Sequence, residues 1–156
     1  MLSVNSYPRT YVDGCRAKVE GQIEAYRDVV AAAAKVGAKD VPFLDQVRIV
    51  TTLHLQDLPP LLPLDVQVLR LSADTAIVTL PGEIFVELGL AIKRQSPFSN
   101  TIVIELANEN CAYVPTRAAF TQEAYEVENS RIAPGGGERL VEEAVKLLKA
   151  LADAKS

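Results

Sequence analysis

The stretch Ala76-Ile77-Val78-Thr79-Leu80-Pro81-Gly82-Glu83-Ile84-Phe85-Val86-Glu87-Leu88-Gly89-Leu90-Ala91-Ile92 decides the fold. Ala76 to Leu80 is short and mostly apolar with three β-branched residues between its ends, the composition of a strand. Pro81-Gly82-Glu83 makes a tight turn. Beyond it Ile84, Phe85, Leu88, Ala91 and Ile92 fall at helical spacing, on one face. Ser96-Pro97-Phe98 stops that helix. Thr101 to Leu106 (TIVIEL) is β-branched and nearly continuous, the pattern of a strand covered on both faces. Strand, turn, helix and strand in succession spell an α/β fold.

Working outward from this unit, Leu64 to Leu71 (LDVQVLRL) predicts a strand joined to Ala76–Leu80 through the hairpin-like turn Ser72-Ala73-Asp74-Thr75. Upstream, Leu58-Pro59-Pro60-Leu61-Leu62-Pro63 cannot pair in a central sheet, because its prolines remove donors. Val47 to Gln56 alternates, with Val47, Ile49, Thr51, Leu53 and Leu55 on one side, and predicts a half-buried strand. From Thr10 to Val36 the residues Val12, Cys15, Val19, Ile23, Tyr26, Val30 and Ala33 recur every three or four positions, which predicts a long amphipathic helix stopped by Gly37. Ala107 to Ser130 is a long polar stretch. After it, Pro134-Gly135-Gly136-Gly137-Glu138 opens a last helix with Leu140, Val141, Ala144, Leu147, Leu148 and Leu151 on one stripe. The expectation is one domain over residues 1–156: an N-terminal helix within 1–40, then an α/β region over 41–156. Its mixed sheet has about four strands, packed with the N-terminal, middle and C-terminal helices.

Composition narrows the function classes. At 156 residues, 49% hydrophobic and 23% charged, the chain is a globular domain and not a disordered one. A net charge of −4 with no basic run argues against a broad nucleic-acid footprint. The run Val29 to Ala34 ends at Lys35, far short of the ~20 apolar residues of a spanning helix. Met1 to Tyr11 lacks the layout of a signal peptide, so as written a cytoplasmic chain is expected. Cys15 and Cys111 are far apart and form no CxxC pair.

Several residues could carry chemistry. His54, the only histidine, falls on the polar side of its predicted strand and fits a structural role, since one histidine builds neither a catalytic triad nor a usual zinc site. Gly135-Gly136-Gly137 precedes a helix and could cradle a phosphate, though neither the Walker nor the dinucleotide spacing is present. Glu83 stands just after a strand, where open α/β sheets place their sites, or serves only as a first-turn acid complementing the helix dipole. Tyr113 and Tyr125 lie in the polar stretch, with Cys111 near them as a passive small residue or a reactive thiol.

The segments Leu80-Pro81-Gly82-Glu83-Ile84-Phe85 and Tyr113-Val114-Pro115-Thr116-Arg117-Ala118-Ala119-Phe120, with Tyr125-Glu126 and Ala133-Pro134-Gly135-Gly136-Gly137-Glu138-Arg139-Leu140, resemble the neutral/alkaline non-lysosomal ceramidase family, in its bacterial ceramidase-like branch. The resemblance covers about Leu64 to Leu148, the C-terminal part of that family's catalytic domain. It implies a zinc amidase that hydrolyses the N-acyl bond of a lipid-like amide. Of the family's zinc ligands it puts the glutamate at Glu83 and the tyrosine at Tyr113, and it puts the tyrosine that faces the reacting centre at Tyr125. The family's two histidine ligands lie in an N-terminal part that this chain lacks, and His54 occupies no matching motif. The resemblance therefore implies half a metal site, no tightly bound zinc and no activity in the chain alone. Its partner would be a second copy or the missing N-terminal half. The alternative is a non-catalytic α/β binding or oligomerisation domain of unknown ligand.

Overall fold

The computed structural model describes residues 61–154, with Leu2, Ser3, 42–44, 47, 51, 54, 55, 58 and 59. The chain is α/β. Its strands are β1 (Leu2–Ser3), β2 (Leu61–Leu62), β3 (Gln67–Arg70), β4 (Thr75–Thr79), β5 (Glu83–Ile84), β6 (Asn100–Ile104) and β7 (Tyr113–Val114). Its helices are α1 (Val86–Gln95), α2 (Tyr125–Glu128) and α3 (Gly136–Asp153), with a 3-10 turn at Ala118–Thr121. Among the described residues no helix is long and apolar enough to cross a membrane.

The main sheet runs β3-β4-β6. β3 and β4 form the hairpin, antiparallel with Val68 opposite Val78 and Leu69 opposite Ile77. Asp74 holds its turn, accepting from the Ser72 hydroxyl at 2.6 Å and the Thr75 hydroxyl at 2.9 Å. These two bonds set its carboxyl below the usual value. β4 and β6 are parallel neighbours, Ile77 beside Ile102 and Thr79 beside Ile104, so β4, α1 and β6 form the βαβ unit expected of the sequence.

Alternation sorts the two faces. Ala76 and Val78 of β4 point into a core shared with Leu88 and Ile92 of α1 and with Leu140, Val141, Ala144, Val145 and Leu148 of α3. α1 and α3 thus lie on one face of the sheet and pack on each other. Burying a Leu or Ile side chain of this kind contributes about 1.5–3 kcal/mol. On the other face Leu69, Ile102 and Ile104 are exposed. The two-sided cover that the composition of TIVIEL suggests is absent among the described residues.

A second expectation fails over Val47–Gln56. Phe43, Leu44, Val47, Thr51, His54 and Leu55 are helical, not extended. Val47 is half-buried and Thr51 and Leu55 are buried, at intervals of four, while His54 faces solvent. The proline-rich connector does stay out of the main sheet, its Leu61 and Leu62 pairing only with Ser3 and Leu2. The helix expected over Thr10–Val36 lies outside the described residues.

Candidate functional site

Past the ends of β4 and β6 the two chains stay bonded. The Leu80 amide donates to Ile104 O at 2.9 Å, and the Ala107 amide returns to Leu80 O at 3.1 Å. Pro81-Gly82 then turns β4 outward at the carboxyl end of the parallel pair, the end at which open α/β sheets build sites. Gly82 has φ +73°, and a Cβ there would meet Ala112 O at 2.5 Å and Cys111 Sγ at 2.6 Å. Only glycine allows both the left-handed backbone and so close an approach of the returning segment. That approach carries the Glu83 amide to Ala112 O at 2.9 Å and the Phe85 amide to Val114 O at 3.2 Å. The result is the short parallel pair β5–β7, in which Glu83 is level with Tyr113 and Ile84 with Val114.

Glu83 and Tyr113 therefore project side by side. The Glu83 carboxylate beside it, more than burial or the nearby Tyr125 and Glu126, holds the Tyr113 phenol above its ordinary value of 10.0. Tyr125 opens α2, and its ring meets that of Tyr113 edge-on, centroids 5.8 Å apart at 75°. Phe43 stacks on the far side of Tyr125, centroids 5.7 Å apart, and Asn129 Nδ2 donates to the Tyr125 hydroxyl at 3.3 Å. Tyr113 thus meets both residues that the resemblance groups with it, Glu83 across the strand pair and Tyr125 through its ring.

Three side chains hold the tyrosine segment in place, and a fourth holds the strand beside it. Ser130, fully buried, donates from Oγ to Tyr113 O at 2.9 Å and accepts from the Ile132 amide at 3.2 Å. Asn110 Oδ1 accepts from the Ala112 amide at 2.9 Å, and Glu138 Oε1 from the Arg117 amide at 2.8 Å. Glu105 Oε2 accepts from the Ile84 amide at 2.8 Å and so fixes β5 from its open edge. Leu106, Asn108 and Ala112 all take positive φ in this loop.

Glu83 and Tyr113 line a groove of about 500 Å³, together with Glu87, Glu105 and Glu126. With four carboxylates and no basic side chain in its lining, the groove favours a cation or a hydrogen-bond donor and repels anions. Sequence reasoning picks out Glu83 alone of these acids: Glu87 reads as an ordinary acid of the following helix, and Glu105 and Glu126 lie far off in the chain. Glu105, a single acid closing the apolar run TIVIE, is the one with a local signal; Ser130 and Asn110 have none.

His54 is not among the groove's lining residues, and among the described residues no group of three or more His, Cys, Asp or Glu is placed to hold a metal ion. Cys111 is buried and its thiol is pushed up to about 11, chiefly by desolvation, so it is a protonated packing residue. The glycine loop is a packing joint as well. Gly135 lies against the Arg117 guanidinium, and a Cβ on Gly137 would meet Leu88 Cδ1 at 2.5 Å and Pro115 O at 2.8 Å. With the Glu138 carboxylate in the helix's first turn, the loop is poorly suited to a phosphate. Compared with family models, curated proteins and solved structures, the chain matches none of them.

Proposed function

We propose that this chain is the C-terminal portion of a neutral-ceramidase-like zinc amidase, an enzyme hydrolysing an N-acyl amide bond, and that it carries half of the metal site. The observation that supports the reading is that Tyr113 lies level with Glu83 on the groove's rim, at the carboxyl end of the parallel strands, and in ring contact with Tyr125. Glu83 and Tyr113 offer two oxygen donors side by side. Catalytic zinc keeps three protein ligands and an open position. The residues present fit half a centre and not a whole one, so the chain by itself performs no metal-dependent step. What it contributes is a carboxylate and two phenols. A protonated phenol on such a rim is a donor suited to the oxyanion that forms when an amide carbonyl is attacked.

Imidazole, added in excess, supplies the missing nitrogen ligands in trans and makes the reading testable. Zinc alone should bind weakly, and imidazole should tighten it. Glu83→Gln and Tyr113→Phe should each remove that gain. Zinc affinity in imidazole that neither substitution changes would overturn the assignment. Chelator-sensitive amide hydrolysis by the chain alone would sink the half-site.

A second reading, a non-catalytic α/β domain used for binding or association, is favoured by a different observation: the apolar face of β3-β4-β6, where Leu69, Ile102 and Ile104 are not covered by other described residues.

A further inference from the structure

The Tyr125 ring is held beside Tyr113 by little from its own element. It opens α2, a helix of four residues whose N-cap, Ala124, supplies no side-chain bond, and so short a helix does not sustain itself. Val127 and Glu128 seat α2 by being buried, whereas Tyr125 is 37% exposed. The bond from Asn129 Nδ2 to its hydroxyl is exposed and, at 3.3 Å, long. Beyond these the ring has two other rings. Tyr113 meets it edge-on and Phe43 stacks on it, centroids 5.7 Å apart with the planes within 19°. Edge contacts and offset stacks are the arrangements that aromatic pairs prefer. Phe43 comes from a distant part of the chain. It is the first helical residue after Pro42, and the helical Thr51 and Leu55 farther along are buried. Phe43 itself is 64% exposed, so burial in a core does not account for where its ring lies.

We propose that Phe43 is a positioning residue: its ring keeps that of Tyr125 in edge contact with Tyr113, and the site thereby answers to chain that precedes the sheet. The contacts run in series from Phe43 to Tyr125 to Tyr113, and the register of β5 and β7 carries them to Glu83. A tyrosine side chain turns about two bonds, and every rotamer that swings the phenol away from Tyr113 gives up the stack. Without the Phe43 ring, Tyr125 keeps the Tyr113 edge and the exposed Asn129 bond, and its hydroxyl samples orientations away from the site. The stack belongs to the geometry of this chain, but its catalytic meaning rests on the zinc-amidase reading, in which the Tyr125 hydroxyl must face the reacting centre to donate to an oxyanion. Phe43 acts only through Tyr125, by orienting it.

Fluorine NMR of the full chain labelled with fluorotyrosine tests it, with Tyr113→Phe and Tyr125→Phe assigning the two signals. Phe43→Leu keeps an apolar side chain and removes the ring. It should move the Tyr125 signal most of the way to its position in the urea-unfolded chain, and shift the Tyr113 signal with it. The thermal melt should stay close to the parent's, because Phe43 is mostly exposed. Phe43→Trp restores an aromatic face and should keep both signals displaced from their unfolded positions. A role in stability alone would shift the melt and leave the native signals in place. Phe43→Met carries the test if Phe43→Leu does not fold. A Tyr125 signal indifferent to loss of the ring overturns the proposal. So does a Tyr113 signal that stays while Tyr125 moves, or a Phe43→Trp chain that behaves as Phe43→Leu does. The fluorine signals need no zinc and judge the stack, whereas zinc titration of Glu83→Gln and Tyr113→Phe judges the amidase reading, so either can fail alone.

Discussion

Gly82→Ala is the sharpest test of how the site is assembled. Two separate costs apply. Holding an alanine at φ +73° costs about 1–2 kcal/mol. Its Cβ would also sit 2.5 Å from Ala112 O and 2.6 Å from Cys111 Sγ, and forcing atoms into such a space costs typically about 1–3 kcal/mol. The sum is about 2–5 kcal/mol, or a fall in Tm of roughly 5–15 °C for a chain of this size. The double variant Gly82→Ala with Cys111→Ala should recover little, because it relieves the sulfur contact and leaves the carbonyl contact and the dihedral. Gly89→Ala is the control. Its nearest neighbour, Val103 Cγ1, is 4.0 Å from the new Cβ, and the backbone is helical, so a gain of about 0.5–1 kcal/mol is expected. Thermal melts followed by circular dichroism decide between these outcomes. If Gly82→Ala melts within a degree of the parent, the close approach of β5 and β7 is not what fixes Glu83 beside Tyr113.

Other outcomes follow from the same geometry. Glu83→Gln should bring the Tyr113 phenol back toward 10, because it removes the carboxylate whose hydrogen-bonding interaction, and after it charge, opposes ionisation; ultraviolet titration of the phenolate reads the shift. The sign for stability is that of a raised group: the Tyr113–Glu83 contribution is complete below pH 10 and is lost as pH rises through the folded value, so alkaline unfolding should come earlier in the parent than in Tyr113→Phe once each is referred to its own neutral-pH stability. Ser130→Ala leaves Tyr113 O and the Ile132 amide without their buried partner and should cost about 1–3 kcal/mol in a denaturant melt. Cys111 should resist iodoacetamide at neutral pH in the native chain and react once urea unfolds it, as peptide mapping by mass spectrometry would show.

How far the sequence discloses this molecule depends on whether a segment's period is unambiguous. From Ala76 to Ile104 the pattern switches from strand to helix and back within a few residues, with proline or glycine at each switch, and the βαβ unit is legible as it stands. Val47–Gln56 is the opposite case. Every fourth residue lies on one face of a strand and also near one face of a helix, so Val47, Thr51 and Leu55 satisfy both templates. The polar stretch Ala107–Ser130 conceals Cys111, Val114, Pro115, Val127 and Ser130, all buried. Its order comes from a two-residue strand and from left-handed backbone at Asn108 and Ala112, features too short or too irregular to leave a period. Glu83 and Tyr113 were nonetheless legible as candidates, one from its place after a strand, the other through the motif that carries the ceramidase resemblance. Their pairing rests on backbone register, to which Gly82, Ser130 and Glu105 contribute from outside that motif.

The site and the open face have a common origin in the parallel pair β4–β6. A parallel connection returns the chain to the same end of the sheet, so the segments leaving β4 and β6 emerge together and can place Glu83 and Tyr113 level. The same connection puts α1 on one face only, and α3, arriving later, packs against α1 and not on the far side. Site assembly thus needs only the two strand ends, and the outer face of the sheet takes no part in it. It follows that lysine at Ile102, on the outer face, should leave the Tyr113 phenol titration unmoved, whereas Gly82→Ala should shift it. If Ile102→Lys shifts it too, the strand ends and the outer face are mechanically coupled, and β4–β6 is less rigid than its continuous backbone pairing implies.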